Sequence, residues 1–236
     1  MTRRRWIADE VRGNRAALTG DHADHLVRVL RARVGQEFDI AAGDAVRRGR
    51  IVTIAGDRVE FELGEQLPLA VAFDLALLLS IFKFDRMEWA IEKCVELGVS
   101  RIVPVIARRT DAHLVTAAAK RVERWRRIAV QAAEQSRQAS PPEIEDPIKL
   151  REAAKFPGGL RIVLAESEPQ AQLRDMFTAG RAGATLLAVG PEGGWAEEEL
   201  QLLQQSGWIS ASLGPTILRA ETAAIAAVAI AMSALR

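Results

Sequence analysis

The pattern of apolar residues changes near residue 70, and this change limits the folds that the chain can adopt. From there to the C-terminus, short apolar segments alternate with longer segments of helical periodicity. The predicted strands are Leu75–Ile81, Arg101–Ile106, Leu160–Ala165, Thr185–Val189 and Trp208–Leu213. One predicted helix begins at Asp85. The other predicted helices cover Ala117–Gln138, Ala171–Phe177, Glu197–Gln205 and Glu221–Leu235. Such alternation predicts an α/β domain with a mostly parallel sheet that is covered on both faces.

The helix after the first of these strands has sequence signals at both ends. Asp85 and Glu88 have the spacing of a capping box, which predicts that Asp85 caps the helix. Gly98 suits the left-handed backbone that often ends a helix. Cys94, the only cysteine, falls in the apolar pattern, so a core thiol is favoured over a nucleophile. A chain with one cysteine forms no internal disulfide and fits a reducing, cytoplasmic environment.

Before residue 70, short alternating segments are separated by Gly-Asp turns. They predict a small antiparallel sheet or barrel with strands at 37–40, 49–54 and 59–63. A short helix, Asp21–Leu30, precedes them, and Gly64–Ala70 has the composition of a linker. The sequence therefore predicts two domains, residues 1–70 and 71–236.

Charge is unevenly distributed along a chain whose net charge is only +1. Residues 1–33 contain eight Arg and four acidic residues, and residues 101–137 contain nine basic and three acidic residues. Residues 138–236 have an acidic excess, with eight basic and twelve acidic residues. The two basic segments indicate a local site for a polyanion, although solvated helix faces can have the same composition.

Neither a secretory signal nor a membrane span is indicated by the apolar segments. The basic start Met1–Trp6 is not followed by an apolar segment, which argues against a secretory signal. The longest apolar stretch, Ala223–Met232, has half the length that a bilayer requires, and it is predicted to be a buried helix.

Two loops, Val189–Trp195 and Leu213–Ala223, each follow a predicted strand and precede a predicted helix. In α/β sheets, ligands bind at the carboxyl ends of strands, and clustered glycines let the backbone approach a ligand closely. Neither a Walker A sequence nor Gly-x-Gly-x-x-Gly is present in the first loop. Taken singly, the first loop is equally consistent with a tight turn, and Glu221 in the second with a charge at a helix N-terminus.

Together, Gly190–Gly194 and Leu213–Ala223 resemble the RsmE family of 16S rRNA uridine-N3 methyltransferases, which belongs to the SPOUT superfamily. Further segments resemble the family in the same order along nearly the whole chain: His25–Arg31, Lys83–Trp89, Lys93–Val99 with Pro104, and Ala133–Arg137. Thr216 stands where the family often has Arg, Ala196 stands where Ser or Thr usually caps a helix, and residues 138–142 diverge.

The resemblance implies an architecture, a cofactor and partners. It implies a PUA-like, RNA-binding β-barrel at residues 1–70 and a SPOUT domain at residues 71–236, whose parallel sheet ends in a deep trefoil knot. It further implies S-adenosylmethionine as cofactor and 16S rRNA of the small ribosomal subunit as substrate. A homodimer with the site at the subunit interface is expected, without a metal ion and without membrane association.

The resemblance also implies roles for individual residues. The expected cofactor contacts are Leu164, Gly190, Pro191, Glu192, Gly193, Gly194, Leu213, Gly214, Ile217, Leu218, Arg219 and Ala223. Methylation of N3 removes the imide proton, so cations near the uracil oxygens are needed, and Arg137, Arg219 and Arg5 are the candidates. Arg5 is favoured as a phosphate contact, and a surface role is the alternative for Arg137. The expected RNA-binding residues are Arg5, Arg28, Arg31, Arg121, Arg124 and Arg127.

Two alternative functions are compatible with parts of this pattern. A sister SPOUT enzyme would methylate a ribose 2′-hydroxyl, but it would lack the N-terminal barrel and the Ile-Leu-Arg-x-Glu-Thr-Ala segment. A non-catalytic RNA-binding factor in ribosome assembly would keep the basic segments without needing the glycine loops. Mapping of the modified atom distinguishes the first alternative, and cofactor titration distinguishes the second.

Overall fold

The computed structural model of the chain describes residues 5–43, 45–68, 73–168, 170–177 and 183–235. It divides into two compact units. The first consists of residues 1–71 and 133–141, and the second of residues 72–132 and 142–236. Among the described residues, no helix combines the length and apolar character needed to cross a membrane.

The first unit is built on a six-stranded, mostly antiparallel sheet. Its strands are β1 (Arg5–Ile7), β2 (Glu10–Arg12), β3 (Arg15–Thr19), β4 (Glu37–Ala42), β5 (Ala45–Ala55) and β6 (Arg58–Leu67), in the order β1-β4-β5-β6-β3-β2. β1 and β4 are the one parallel pair in this sheet as described. The predicted antiparallel sheet is confirmed, but the sequence did not predict β1, β2 and β3. The predicted linker is wrong at its start, since β6 continues to Leu67; residues 69 and 70 lie outside the described residues.

One glycine of this sheet is required by close packing between strands. A Cβ atom at Gly49 would lie 2.4 Å from Ile40 Cγ1 and 3.3 Å from Phe61 Cδ1. Ile40 and Phe61 belong to the core of the unit, together with Trp6, Leu18, Leu26 and Ile51. The helix predicted at Asp21–Leu30 is divided into α1 (Gly20–Asp24) and a π-helix (His25–Val29).

The second unit contains a seven-stranded sheet in which every pairing is parallel. Its strands are β7 (Leu75–Ser80), β8 (Arg101–Ile106), β9 (Glu143–Ile144), β10 (Ile148–Lys149), β11 (Leu160–Leu164), β12 (Thr185–Val189) and β13 (Ile209–Ala211). The order is β10-β8-β7-β12-β11-β13, with β9 paired to β8. The predicted parallel sheet is confirmed. The two-residue strands β9 and β10 carry no periodicity, and for this reason the sequence did not predict them.

The helices of the second unit are mainly those expected. They are α2 (Phe84–Leu97), α3 (Ala112–Gln135), α4 (Leu150–Ala153), α5 (Glu197–Gln205) and α6 (Ala220–Leu235), with a 3₁₀ turn at Leu173–Met176. Residues 133–135 of α3 are grouped with the first unit. α6 packs against α2, β7 and β12, and α5 packs against β13. The full helix predicted at Ala171–Phe177 is wrong, because only the 3₁₀ turn forms there.

The ends of α2 test the sequence signals directly. Gly98 ends the helix with φ of 104°, as predicted. The capping box is wrong, because the helix begins one residue before Asp85 and its N-cap residue, Lys83, makes no side-chain capping bond. Cys94 is buried within this helix, and burial raises the pKa of its thiol above the ordinary range. A core role for Cys94 is therefore confirmed.

After α3, the backbone takes the left-handed conformation at Arg137, a residue other than glycine. Arg137 has φ of +61°, and the N–H of Gln138 donates to the carbonyl of Ala133 at 2.9 Å. This is the helix-ending geometry that glycine adopts without steric cost. This backbone conformation costs an L-residue about 1–2 kcal/mol of conformational free energy. The surrounding structure therefore holds Arg137 in a conformation that its own backbone disfavours.

We expect Arg137→Gly to raise the free energy of unfolding by about 1 kcal/mol, because glycine relieves the left-handed backbone. The matched control is Arg127→Gly, an exposed arginine inside α3, which should lower the free energy of unfolding by about 1 kcal/mol. Urea denaturation of both variants measures these opposite changes. A similar loss of stability in both would contradict the backbone argument.

Candidate functional site

The second unit has a cavity at the carboxyl edge of its parallel sheet. Segments that follow β8, β11, β12 and β13 line it, because parallel strands end at the same edge. Its volume is about 280 Å³, close to the lower end of the range of small-molecule sites. The cavity therefore has room for one compact ligand.

Eleven of the twelve residues predicted to contact a cofactor line this cavity. They are Leu164, Gly190, Pro191, Glu192, Gly193, Gly194, Leu213, Gly214, Ile217, Leu218 and Ala223. Arg219 is the exception: it is exposed and is not part of the lining, although Leu218 and Ala220 on either side of it are. Sequence reasoning missed several lining residues, among them Arg109, Glu166, Trp195 and Ser212.

The first glycine loop is packed against a tryptophan that sequence reasoning left without a role. Trp195 donates its indole N–H to the carbonyl of Leu164 at 3.0 Å, which ties this loop to the end of β11. A Cβ atom at Gly190 would lie 3.2 Å from Trp195 Nε1, tighter than most side-chain contacts. Gly194 has φ of +68°. Glycine is thus needed here both for close packing and for backbone conformation.

A second set of contacts fixes the other side of the same loop. Arg109 donates from Nη1 to the carbonyl of Gly193 at 2.7 Å, and a Cβ atom at Gly193 would lie 3.4 Å from the Arg109 side chain. The buried carboxylate of Glu199 accepts from the backbone N–H of Arg108 at 2.7 Å and of Ala196 at 2.9 Å. Glu199 therefore caps α5 from within the helix, although Ala196 itself has no capping side chain.

The second loop has a turn that depends on glycine. Gly214 has φ of +125°, and its N–H donates to Ser212 Oγ at 3.1 Å. No atom lies within 4 Å of a Cβ placed at Gly214, so the backbone conformation and not space requires glycine. Ile217 is 79% exposed where it lines the cavity, which leaves a large apolar side chain open to a ligand.

The charges around the cavity are few. Among the described residues that line it, Arg109 is the only cation, and Glu166 and Glu192 are the only acids. Glu192 accepts a hydrogen bond from Arg86 Nη1 at 2.8 Å. A ligand that carries both an anionic and an apolar part would find a partner for each here.

A separate group of charged residues lies in the first unit. Arg5 Nη1 donates to the carbonyl of Arg137, and the buried Nε of Arg5 has no hydrogen-bond partner among the described residues. Burial lowers the pKa of the Arg5 guanidinium, Asp39 opposes this shift and Arg137 adds to it. The carboxylate of Glu134 accepts from the N–H of Ile7 at 3.2 Å, which joins the last turn of α3 to β1. Arg5 and Arg137, predicted separately, are thus brought together.

The other predicted RNA-binding arginines differ in their surroundings. Arg121 and Arg124 lie 3.6 and 2.8 Å from Glu88, so both already have an ion-pair partner. Arg28 pairs with Asp24 at 3.3 Å within one turn. Arg31, with φ of +53°, and Arg127 are exposed. No sequence signal distinguished the arginines that have ion-pair partners from those that are exposed.

A family model and individual relatives both relate this chain to RNA methyltransferases. The model of an RNA methyltransferase domain matches residues 70–232. The ribosomal RNA small subunit methyltransferase E of Rickettsia conorii is 34% identical over 90% of this chain and 87% of its own length. The protein of that name from Aquifex aeolicus is 31% identical over 97% of this chain and 98% of its own.

Solved structures agree with these relatives. The crystal structure of a ribosomal RNA small subunit methyltransferase E from Neisseria gonorrhoeae, bound to S-adenosyl methionine, is 32% identical with a TM-score of 0.87. The alignment covers 99% of this chain and 98% of that one. A putative methyltransferase from Legionella pneumophila, in complex with bound cofactor SAM, also has a TM-score of 0.87, at 27% identity and with the same coverage.

Proposed function

This chain belongs to the ribosomal RNA small subunit methyltransferase E family, and we propose that it methylates N3 of one uridine in 16S rRNA with S-adenosylmethionine as the methyl donor. The observation that carries the proposal is the cavity to which both glycine-containing loops contribute. Its substrate is RNA of the small ribosomal subunit, and its place of action is the cytoplasm. The product is 3-methyluridine.

The residues of the cavity fit this cofactor. Backbone N–H and C=O groups of the two loops can bind the adenine edge and the ribose, because glycines at 193, 194 and 214 keep the backbone accessible. Leu213, Ile217 and Leu218 supply an apolar wall for the adenine. Arg109 supplies a guanidinium for the carboxylate of the methionine part.

The chemistry requires little covalent work from the protein. Bound S-adenosylmethionine supplies a methyl group on a sulfonium, already activated for transfer. The chain must hold uracil N3 in line and stabilise the charge that spreads onto O2 and O4 when the imide proton leaves. Arg137 and Arg219 are assigned this role, since a guanidinium stays charged at any working pH. Arg5, whose guanidinium binds the Arg137 carbonyl, fits a phosphate contact.

Two finer features of the architecture belong to this proposal. The six-stranded sheet of the first unit serves as a PUA-like RNA-binding barrel, corresponding to residues 1–70. Residues 71–236 form a SPOUT domain whose chain is threaded into a deep trefoil knot, as the resemblance implies. Stretching the unfolded chain from its two ends would then give a shorter contour length than an open chain of the same number of residues.

We expect the purified protein to add one methyl group to small subunits isolated from cells that lack its gene. Nucleoside mass spectrometry should find 3-methyluridine in their 16S rRNA. Gly193→Val serves as the inactive control, because a branched side chain should crowd the Arg109 side chain, which lies 3.4 Å from a Cβ placed at Gly193, and obstruct the approach of the ligand to the backbone. Calorimetry should show no binding of S-adenosylmethionine to this variant, with thermal unfolding close to that of the parent.

Other outcomes of this experiment would replace the proposal. A methyl group on a ribose 2′-oxygen would identify the sister SPOUT activity. A protein that binds the subunit but neither binds S-adenosylmethionine nor leaves a methyl group would be a non-catalytic assembly factor. Unchanged cofactor binding by Gly193→Val would remove the first glycine loop from the cofactor site.

Arg137 and Arg127 should differ in their kinetic effects. If Arg137 stabilises the transition state, Arg137→Ala lowers kcat by at least about tenfold and leaves cofactor affinity nearly unchanged. If the exposed Arg127 binds RNA phosphates, Arg127→Ala raises KM at constant kcat and reduces the salt dependence of RNA binding. Single-turnover methylation over a range of salt concentrations measures both. A raised KM with normal kcat in Arg137→Ala would reduce Arg137 to a phosphate contact.

We further propose that the working unit is a homodimer with the active site at the subunit interface. The support is accessible apolar side chains on two helices of the second unit that pack together: Trp89 on α2 is 47% exposed, and Ile225 and Ile230 on α6 are only partly buried. Light scattering of the parent protein should give twice the molar mass of one chain. The Trp89→Glu variant should give the molar mass of a single chain. Ile209→Glu, at a residue 45% exposed, is the control that should remain dimeric. A fully active parent monomer would contradict the dimer.

A further inference from the structure

Arg86 connects the two loops that line the cavity, although it is not itself part of the lining. It lies in the first turn of α2, immediately after β7. Its Nη1 donates to Glu192 Oε1 of the first loop at 2.8 Å, and its Nε lies 3.8 Å from Glu221 Oε1. One guanidinium thus faces carboxylates from two segments that are 29 positions apart in the sequence.

The Glu221 carboxylate gives this arrangement its physical significance. Its side chain is only 7% exposed, and its Oε2 has no hydrogen-bond partner among the described residues. Burying a carboxylate is costly unless a counter-charge lies nearby, and Arg86 provides one. Glu221 lies in the first turn of α6, so its position fixes where the second loop meets the helix.

Glu192 stands in a segment with little stiffness of its own. Its neighbours include Gly190, Gly193 and Gly194, and a backbone rich in glycine has many accessible conformations. A charge-assisted hydrogen bond from Arg86 selects among them. Because the same guanidinium faces Glu221, the conformation of the first loop is linked to the start of α6.

We propose that Arg86 is a positioning residue that holds the two cofactor loops in their binding geometry before the ligand arrives. The inference rests on the proposed function, because the ligand that reports it is S-adenosylmethionine. The affinity for the ligand then depends on preorganisation of the loops, and removing Arg86 weakens binding without removing any direct contact.

Calorimetric titration with S-adenosylmethionine tests this role. Arg86→Gln should weaken binding about tenfold, an effect of the size expected from a charge-assisted hydrogen bond. In a Glu192→Gln background the same substitution should have a smaller effect, because one of the two carboxylates that face Arg86 is already gone. Arg86→Lys should restore part of the affinity, since an ammonium keeps the charge but cannot reproduce the planar fork.

Lys93→Gln is the matched control. Lys93 lies on the same helix and also pairs with two carboxylates, Glu92 at 2.7 Å and Glu96 at 2.8 Å, but both belong to α2. Its substitution should leave the affinity within twofold of the parent. If loss of any ion pair on α2 weakened binding equally, the special role of Arg86 would be overturned.

Amide hydrogen exchange in the absence of ligand distinguishes a local change in the loop from a change in global stability. Amides of residues 192–195 should exchange faster in Arg86→Gln, while those of β7 and β12 keep their protection. Uniformly faster exchange would mean that Arg86 only stabilises the fold. If Arg86→Gln fails to fold, Arg86→Lys carries both measurements, with smaller changes in the same direction expected.

Loss of cofactor binding in the parent protein and loss of the Arg86 effect have different meanings. A parent protein that binds no S-adenosylmethionine overturns the proposed function together with this inference. A parent that binds it, with Arg86→Gln binding equally well, overturns the positioning role alone.

Discussion

The position of β12 between β7 and β11 is the constraint on which the candidate site depends. All three strands run parallel, so the glycine loop after β12 emerges at the same edge as the segments after β7 and β11. With β13 on the far side of β11, the second loop reaches the same cavity. Only β11 stands between β12 and β13, so the two loops begin two strand spacings apart, and each further strand between them would add about 4.8 Å.

Short polar contacts convert this shared edge into a defined cavity. Trp195 joins the first loop to β11, Arg109 joins it to the segment after β8, and Glu199 joins that segment to the start of α5. Each contact gives a hydrogen-bond partner to a backbone group, so loop conformation and hydrogen-bond satisfaction are achieved together. Binding can then proceed with little reorganisation of the protein.

The bounds of β8, β12 and α5 agree with the sequence prediction. β8 and β12 are short apolar segments that are almost wholly buried, and α5 begins with an acidic first turn, so each has a clear sequence signal. The sequence did not predict β1, β2 and β3 because they are short. In addition, five of the six residues in β1 and β2 are exposed or partly exposed, so these strands have little apolar pattern. The capping box failed because Lys83 and not Asp85 precedes the first turn of α2.

The site was predictable as a set of loops but not as a set of contacts. Glycine content and position after strands identified most residues that line the cavity. Arg109 could not be identified, because it follows β8 in a segment without a motif. The bridge from Arg86 to Glu192 and Glu221 depends on which strand ends are neighbours, and that is tertiary information.

Cys94 has a practical consequence at the level of the whole molecule. It is the only thiol in the chain, it is fully buried, and its raised pKa keeps it protonated. Thiol reagents and oxidants act on the exposed thiolate, so they reach this sulfur only when α2 opens. Covalent dimers on a non-reducing gel, or slow labelling by a maleimide, would therefore count molecules that have unfolded. The rate of Cys94 modification therefore reports how often the interior around α2 opens.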